Sequence, residues 1–271
     1  MRTILVVMAF VVTALACEAR ADIAIDALRA TVRVDGGSQS GTAFLVAVPA
    51  EDDGSGTTLL VTAAHVFENM KAEACTVSFR AAEQERFARL ETRVAIREAG
   101  RPLWIRHPDA DVAILPVEPP HGADLTAFAP SQIADGSAFA RGEVAVGQPV
   151  WVACFPAKTE ANAAGWPILR RGTIASHPLA PIDRVKTFFV DYAHFGGDSG
   201  SAVVVDRGGA PLVAGVVVAM QRQTDHVTSP FEDKKVHTPL GLAIVAPADR
   251  ILQVVDGWRR SLAATPVPAS E

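Results

Sequence analysis

Helical periodicity is almost absent from this sequence, and that scarcity constrains its fold more than any other feature. From about residue 29 the chain is a succession of short β-branched runs broken by turn residues: ATVRV gives way to DGGSQSG, TAFLVAV to PAEDDGSG, and TTLLVTAA follows. Short runs that alternate or stay apolar, bounded by Gly, Asp and Ser clusters, read as strands joined by hairpins. CTVSF, RLETRVAI, LWIRH and DVAILPV continue the series. Residues 118–147 are looser and rich in Pro, Ala and Gly, which reads as a connection. Strands then resume with PVWVACF, ILRRGTIA, VKTFFVDY, SAVVVD, PLVAGVVVAM and PLGLAIV. A helix is predicted only near the end, where Pro247 opens ADRILQVVDGWRRSLA with Ile251, Leu252, Val255 and Trp258 at three- and four-residue spacing. Two groups of strands, a connection and a terminal helix predict two β-barrels or sandwiches packed together, with a natural site in the cleft between them.

The first residues carry a different message. Arg2 precedes an apolar run from Ile4 to Ala16, and Ala19-Arg20-Ala21 follows. That is the layout of an export signal cleaved after Ala21, and the run is short of the roughly 20 residues a spanning helix needs. The product is expected in the periplasm or outside the cell, with no membrane attachment once the signal is gone. Cleavage takes away two of the 25 basic and one of the 30 acidic side chains, so the net charge goes from −5 to −6. No basic footprint exists, which argues against a nucleic-acid partner. Cleavage also removes Cys17 and leaves Cys75 and Cys154, each inside a strand-like run; two buried thiols are expected rather than a disulfide framework.

Three polar positions stand out at strand ends. His65 follows a strand and three small residues in LLVTAAHVF; by itself it is an ordinary loop histidine. Asp111 directly precedes the apolar strand of HPDADVAILPV, and Asp109 competes with it. Ser199 lies in AHFGGDSGS, where Gly196, Gly197 and Gly200 permit unusual backbone conformations; a Gly-rich hairpin turn would look the same. A serine hydroxyl is a poor nucleophile unless an imidazole takes its proton, a carboxylate orients that imidazole and backbone N–H groups receive the oxyanion.

TAAHV, DVAILPV and GGDSGS, in that order, resemble the His, Asp and Ser motifs of the trypsin-like (chymotrypsin-fold) serine proteases. SGTAFLV at 40–46 resembles the strand before the histidine in the bacterial branch, and GQPVWVACFP with RRGTIA resembles the start of the second barrel. The likeness covers roughly residues 29–260. The spacings, 46 residues from His65 to Asp111 and 88 from Asp111 to Ser199, suit one barrel and then most of another.

The resemblance implies an all-β fold of two six-stranded antiparallel β-barrels with the active-site cleft between them, plus a C-terminal helix. The implied division is a signal at 1–21, a barrel with His65 and Asp111 at 22–135, a barrel with Ser199 and the helix at 136–264, and a disordered tail at 265–271. It further implies Ser199 as nucleophile, His65 as base then acid, Asp111 as orienter, and the N–H groups of Gly197 and Ser199 as oxyanion donors. The expected activity is peptide-bond hydrolysis on polypeptide substrates through an acyl-enzyme, by a monomer without metal or cofactor. The runner-up is a catalytically silent member of the fold that acts as a binding or regulatory module. An α/β-hydrolase esterase fits poorly, because Gly197-Asp198-Ser199-Gly200-Ser201 breaks the Gly-x-Ser-x-Gly elbow and the histidine comes first.

The sequence also departs from the family. Ser201 and Ala202 stand where Gly and Pro are common. No Ile-Val-Gly-Gly segment exists to supply the freed amino group that pairs with the aspartate before the serine in zymogens, so Asp198 is expected to have an internal partner. With 72 residues after Ser199, taken up by the second barrel and terminal helix, no PDZ domain is expected. By resemblance the specificity pocket has Ala193 at its base, His194 beside it and Val218 to Met220 along a wall. Small or medium apolar side chains are expected there, with an acidic preference through His194 as the alternative. The stretch 222–237 reads as a polar surface excursion near the cleft.

Overall fold

The computed structural model describes residues 23–50, 56–83, 86–228 and 232–263. The expected export signal at 1–21, the expected disordered tail at 265–271 and the acidic turn read at 51–55 lie outside the described residues. The fold begins with a helix, α1, at 23–30. Its Ile23, Ala27 and Ala30 point into the core at helical spacing.

The first unit contains β1 (Thr31–Asp35), β2 (Ser40–Val48), β3 (Thr57–Thr62), the short helix α2 (Ala64–Asn69), β4 (Ala74–Glu83), β5 (Arg86–Ala95), β6 (Arg97–Glu98), β7 (Arg101–Pro102), β8 (Ile105–Arg106) and β9 (Ala113–Val117). Its main sheet has seven strands in the order β5-β4-β1-β2-β3-β9-β8, and β6 pairs only with β7. After α3 (Gly136–Ala140) the second unit comprises β10 (Pro149–Cys154), β11 (Ile168–Ile174), β12 (Phe188–Asp191), β13 (Ala202–Arg207), β14 (Ala210–Thr228), β15 (Asp233–Pro247) and α4 (Asp249–Ala263). These six strands close into a barrel, β10-β11-β12-β15-β14-β13. The all-β, two-unit architecture with a C-terminal helix is the one expected. The first unit forms a seven-stranded ladder, because the long β4–β5 hairpin adds to one end while the two-residue β8 ends the other.

Strands β2 and β3 show why the core lies where it does. Thr42 to Val46 and Leu59 to Thr62 are buried on both faces, so these runs are continuous rather than alternating. Phe44 meets Phe128 edge to face, with ring centroids 6.1 Å apart. Phe128 comes from the connection between the units, which bridges Val46 in the first unit at Phe128 and Val213 in the second at Ile133.

A buried cation ties down α1. The Arg80 guanidinium is fully enclosed and donates to the carbonyls of Thr31 (2.6 Å) and Arg29 (2.9 Å), at the C-terminal end of that helix. The Trp166 ring lies 4.6 Å from it. Burial pushes the Arg80 pKa down to about 10, partly offset by Asp124. Glu160 of the second unit is held by Arg33 (2.5 Å) and by Arg89. At the other end, α4 returns to the first unit, where Arg259 donates to the Pro49 carbonyl at 2.9 Å.

Two elements differ from the sequence reading. The first described residues, 23–30, are helical, close behind the cleavage expected after Ala21. The excursion at 222–237 is a regular antiparallel ribbon, the outer part of β14 and β15, paired from Arg222–Pro239 to Thr228–Asp233.

Candidate active site

His65 is the second residue of α2, which starts where β3 ends. Ala64, Val66 and Phe67 are the buried residues of that helix, leaving the His65 ring half-buried at its edge. Asp111 sits two residues before β9, the neighbour of β3 in the sheet. The pairing of β3 with β9 therefore brings the two together. His65 Nδ1 is 2.6 Å from Asp111 Oδ2, and the His65 backbone N–H donates to Asp111 Oδ1 at 2.9 Å. Burial raises the Asp111 pKa, but the His65 ring, the His65 N–H and Arg106 outweigh it and hold the carboxyl below its ordinary value. An ionised carboxylate only accepts, so the ring proton is on Nδ1 and the Nε2 lone pair is free. Asp109 is exposed and takes no part.

The Asp111 turn has its own support. His107 Nδ1 accepts from the N–H groups of Asp109 and Ala110, both at 3.0 Å. Its Nε2–H must then be the donor to Gln253 Oε1 of α4, 2.8 Å away.

Ser199 precedes β13 in a loop docked on β2. The Thr42 N–H donates to the Ser199 carbonyl at 2.9 Å, and the Thr42 hydroxyl donates to the Gly197 carbonyl at 2.7 Å. The Thr62 hydroxyl, three residues before His65, donates to the Thr42 carbonyl at 2.7 Å. Gly41 lies between the two sides: a Cβ there would be 2.8 Å from Val66 and 3.3 Å from the Ser199 carbonyl oxygen. Thr42 thus links the Ser199 loop to the strand pair that carries His65. No hydrogen bond joins the Ser199 hydroxyl to the His65 ring.

The backbone of the loop is set by glycines. Gly197 has φ +99°, and a Cβ there would fall 2.4 Å from the Phe155 carbonyl oxygen. The Gly196 carbonyl accepts from the Ala157 N–H at 2.6 Å. In a trans peptide the carbonyl and the next N–H point opposite ways, so the Gly197 N–H is turned away from Ala157. Neither the Gly197 nor the Ser199 N–H donates to any acceptor among the described residues. Ala157 and Lys158 themselves hold φ of 49° and 66°, a costly conformation beside the loop they position.

The residues expected to form the specificity pocket are placed unevenly. Ala193 is exposed and Phe195 is 47% exposed, whereas His194 is buried with neither ring nitrogen bonded. Burial first, then Arg170 and His65, push the His194 pKa down to about 4, so its ring is neutral at neutral pH. Val218 is buried and Met220 partly so. Cys75 and Cys154 are buried free thiols, one in each unit. Among the described residues no group of three or more His, Cys, Asp or Glu side chains is placed to hold a metal ion. None of the described helices is long and apolar enough to cross a membrane.

A family model described as a trypsin-like peptidase domain matches residues 41–216, well over half of the chain. The chain belongs to that family. The trypsin-like match takes in His65, Asp111 and Ser199. Among solved structures, Deg5 aligns with a TM-score of 0.52 and 16% identity over 87% of this chain and 91% of its own. Rv3671c from M. tuberculosis H37Rv, in an inactive serine-to-alanine form, aligns with a TM-score of 0.49 and 16% identity over 90% and 92%. At that identity the Deg5 likeness speaks for the fold alone. No curated protein sequence matches significantly.

Three residues essential to this arrangement were not singled out from the sequence. Thr42 lies within SGTAFLV, but nothing in a strand pattern marks one buried threonine as a clamp. His107 stands shortly before Asp111 in HPDADVAILPV, but only its place in the turn reveals its role. Arg170 lies in a run that reads simply as strand.

Proposed function

We propose that this trypsin-like protein is an exported serine endopeptidase. The observation that carries the reading is the pairing of His65 with an ionised Asp111 at one end of β3 while Thr42, on the adjoining strand, docks a loop with two undonated N–H groups. In the proposed reaction Ser199 Oγ attacks the scissile carbonyl carbon and passes its proton to His65 Nε2. Asp111 Oδ2 keeps the Nδ1 proton in place and offsets the imidazolium charge. The carbonyl π pair moves onto oxygen, which is received by the Gly197 and Ser199 N–H groups; one such donor is worth about 10²–10³ in rate. His65 then protonates the leaving amine, and water repeats the sequence on the acyl-enzyme to release the acid and restore Ser199.

The substrate is a polypeptide. Its side chain would rest against Ala193, Val218 and Met220, with His194 beneath, which favours small or medium apolar residues. The protein acts as a monomer in the periplasm or outside the cell and needs no cofactor. A second reading, a silent binding module, is favoured by one observation, the unbonded Ser199 hydroxyl.

A fluorophosphonate separates the two. Stoichiometric adduct on Ser199, found by intact mass and peptide mapping and lost in Ser199→Ala, is the expected result. Folded protein that takes no adduct would overturn the peptidase reading and leave the binding module.

A further inference from the structure

The carboxylate next to Ser199 is wholly buried. Asp198 Oδ2 accepts the Phe195 N–H at 2.9 Å, and the Asp198 N–H returns to the Phe195 carbonyl at 3.2 Å, so the two residues close the turn that contains Gly196 and Gly197. Oδ1 has no hydrogen-bond partner. An isolated buried carboxylate is costly and tends to take up a proton. Burial does raise the Asp198 pKa, opposed by the Phe195 N–H, the Cys154 thiol and Arg170.

Arg170, on β11, is the one cation in ion-pair range of Asp198 among the described residues; its Nη1 lies 3.6 Å from Oδ2. The same nitrogen donates to the Ala193 carbonyl. The guanidinium carbon is 5.2 Å from the Phe195 ring centroid and 5.9 Å from that of Tyr192. One side chain from the barrel wall therefore engages residues 192, 193, 195 and 198. Between them these fix both ends of the Gly196–Gly197 peptide.

We propose that Arg170 is a positioning residue that braces the 192–198 segment and so aims the Gly197 and Ser199 N–H groups, in the role that a freed N-terminal amino group fills in zymogen-derived relatives. The inference rests on the peptidase reading for its catalytic consequence, although the brace itself is a matter of geometry. It gives the Asp198 carboxylate a cation from within the chain, which is the internal partner expected for it. It also accounts for arginine rather than lysine, because the guanidinium face can lie against the Tyr192 and Phe195 rings while one of its nitrogens meets the Ala193 carbonyl and the Asp198 carboxylate. A misaimed Gly197 N–H would stabilise the oxyanion poorly yet leave ground-state binding largely alone, so the loss belongs in kcat.

The test compares Arg170→Gln, Arg170→Lys and the neighbouring Arg171→Gln in the purified protein. Three quantities are followed: the fluorophosphonate labelling rate, kcat and KM on a peptide substrate, and hydrogen exchange of amides 193–200. Arg170→Gln is expected to lower labelling and kcat by about 10²-fold with KM within about threefold, and to speed exchange in 193–200 selectively. Arg170→Lys should recover roughly tenfold of that loss, and Arg171→Gln should match wild type. Should the glutamine variant not fold, the lysine variant decides: labelling about tenfold slower than wild type supports the brace, and the wild-type rate overturns it. A wild type that labels, with an Arg170→Gln that labels equally fast and exchanges normally in 193–200, sinks the inference and leaves the peptidase reading standing. A wild type that does not label, with 193–200 loosened by Arg170→Gln, sinks the peptidase reading and leaves the brace.

Discussion

Gly200→Ala introduces a single methyl at a point where the chain has no room. Gly200 has φ +92°, and an added Cβ would sit 1.9 Å from the Thr42 carbonyl oxygen and 2.1 Å from Thr62 Oγ1. Both atoms belong to strands paired on each side, β2 between β1 and β3, and β3 between β2 and β9. The Ser199–Gly200 loop is the softer partner and must retreat by ~1.5 Å to reach ordinary contact distance, and a misplacement of even ~1 Å costs about 10²-fold in rate. The retreat stretches two hydrogen bonds, Thr42 N–H to the Ser199 carbonyl (2.9 Å) and Gly200 N–H to the Val217 carbonyl (2.7 Å). At ~1 kcal/mol for each bond and 1–2 kcal/mol for a non-glycine residue in the left-handed region, the fold should lose about 3–4 kcal/mol. A domain stable by about 5–15 kcal/mol survives that loss. The variant should therefore fold, unfold at lower urea, and label with fluorophosphonate about 10²-fold more slowly. Labelling within about threefold of wild type at an unchanged urea midpoint would refute the argument that this carbonyl sets the position of Ser199.

Other perturbations test separate parts of the structure. Asp111→Asn should lower kcat about 10⁴-fold, because an amide that donates to Nδ1 leaves the proton on Nε2; peptidase kinetics check it, and a loss below about tenfold would remove Asp111 from the site. The folded-state pKa of Asp111 is held below its ordinary value, so its contribution to stability is present above the unfolded-state value, about 3.9, and is lost only as pH falls through the lower folded-state value. Urea titrations of wild type and Asp111→Asn should accordingly differ by a constant amount from pH 7 to 5 and converge in stronger acid; divergence on acidification would contradict the ionised pair. Arg80→Met removes the donor that closes the end of α1 and leaves buried carbonyls unpaired, for about 3 kcal/mol with selectively faster exchange at 23–31. Glu160→Gln leaves Arg33 and Arg89 facing each other between the units and should cost about 2 kcal/mol by urea denaturation, less at high salt.

The sequence signals that succeeded were those tied to burial. Continuous apolar runs such as TAFLV and AVVV became core strands because both faces are covered, and the Pro247 region became the end of β15 followed by α4. Where burial and backbone pairing part company the sequence was mute. The outer ribbon of β14 and β15 is exposed on both faces, so Gln223, Asp225, Lys234 and Lys235 carry no apolar alternation although their backbones pair regularly. Helix α1 did carry a signal, Ile23, Ala27 and Ala30 at 4 and 3 spacing, but over the described residues 23–30 it is too short to stand out. In the site, His65, Asp111 and Ser199 could be singled out because their motifs are local. Thr42 and Arg170 could not, because each acts on a segment distant in sequence, where register and side-chain reach decide the contact; His107 acts within its own turn, but a ring nitrogen that accepts two backbone N–H groups leaves no mark in the sequence.

Helix α4 gives the site a history in time as well as a place in space. The turn that presents Asp111 is steadied by His107, and His107 is steadied by Gln253, some 146 positions later in the chain. Synthesis runs from the amino end, and early segments fold as they emerge. The strands that carry His65 and Asp111 are thus complete long before their outer support exists. A nascent chain that ends before α4 holds both residues yet lacks the contact that stops the Asp111 turn from swinging. The support for the Asp111 turn therefore arrives only when the first turns of α4 dock, so on the proposed peptidase reading a chain that stops short of them is a poor protease.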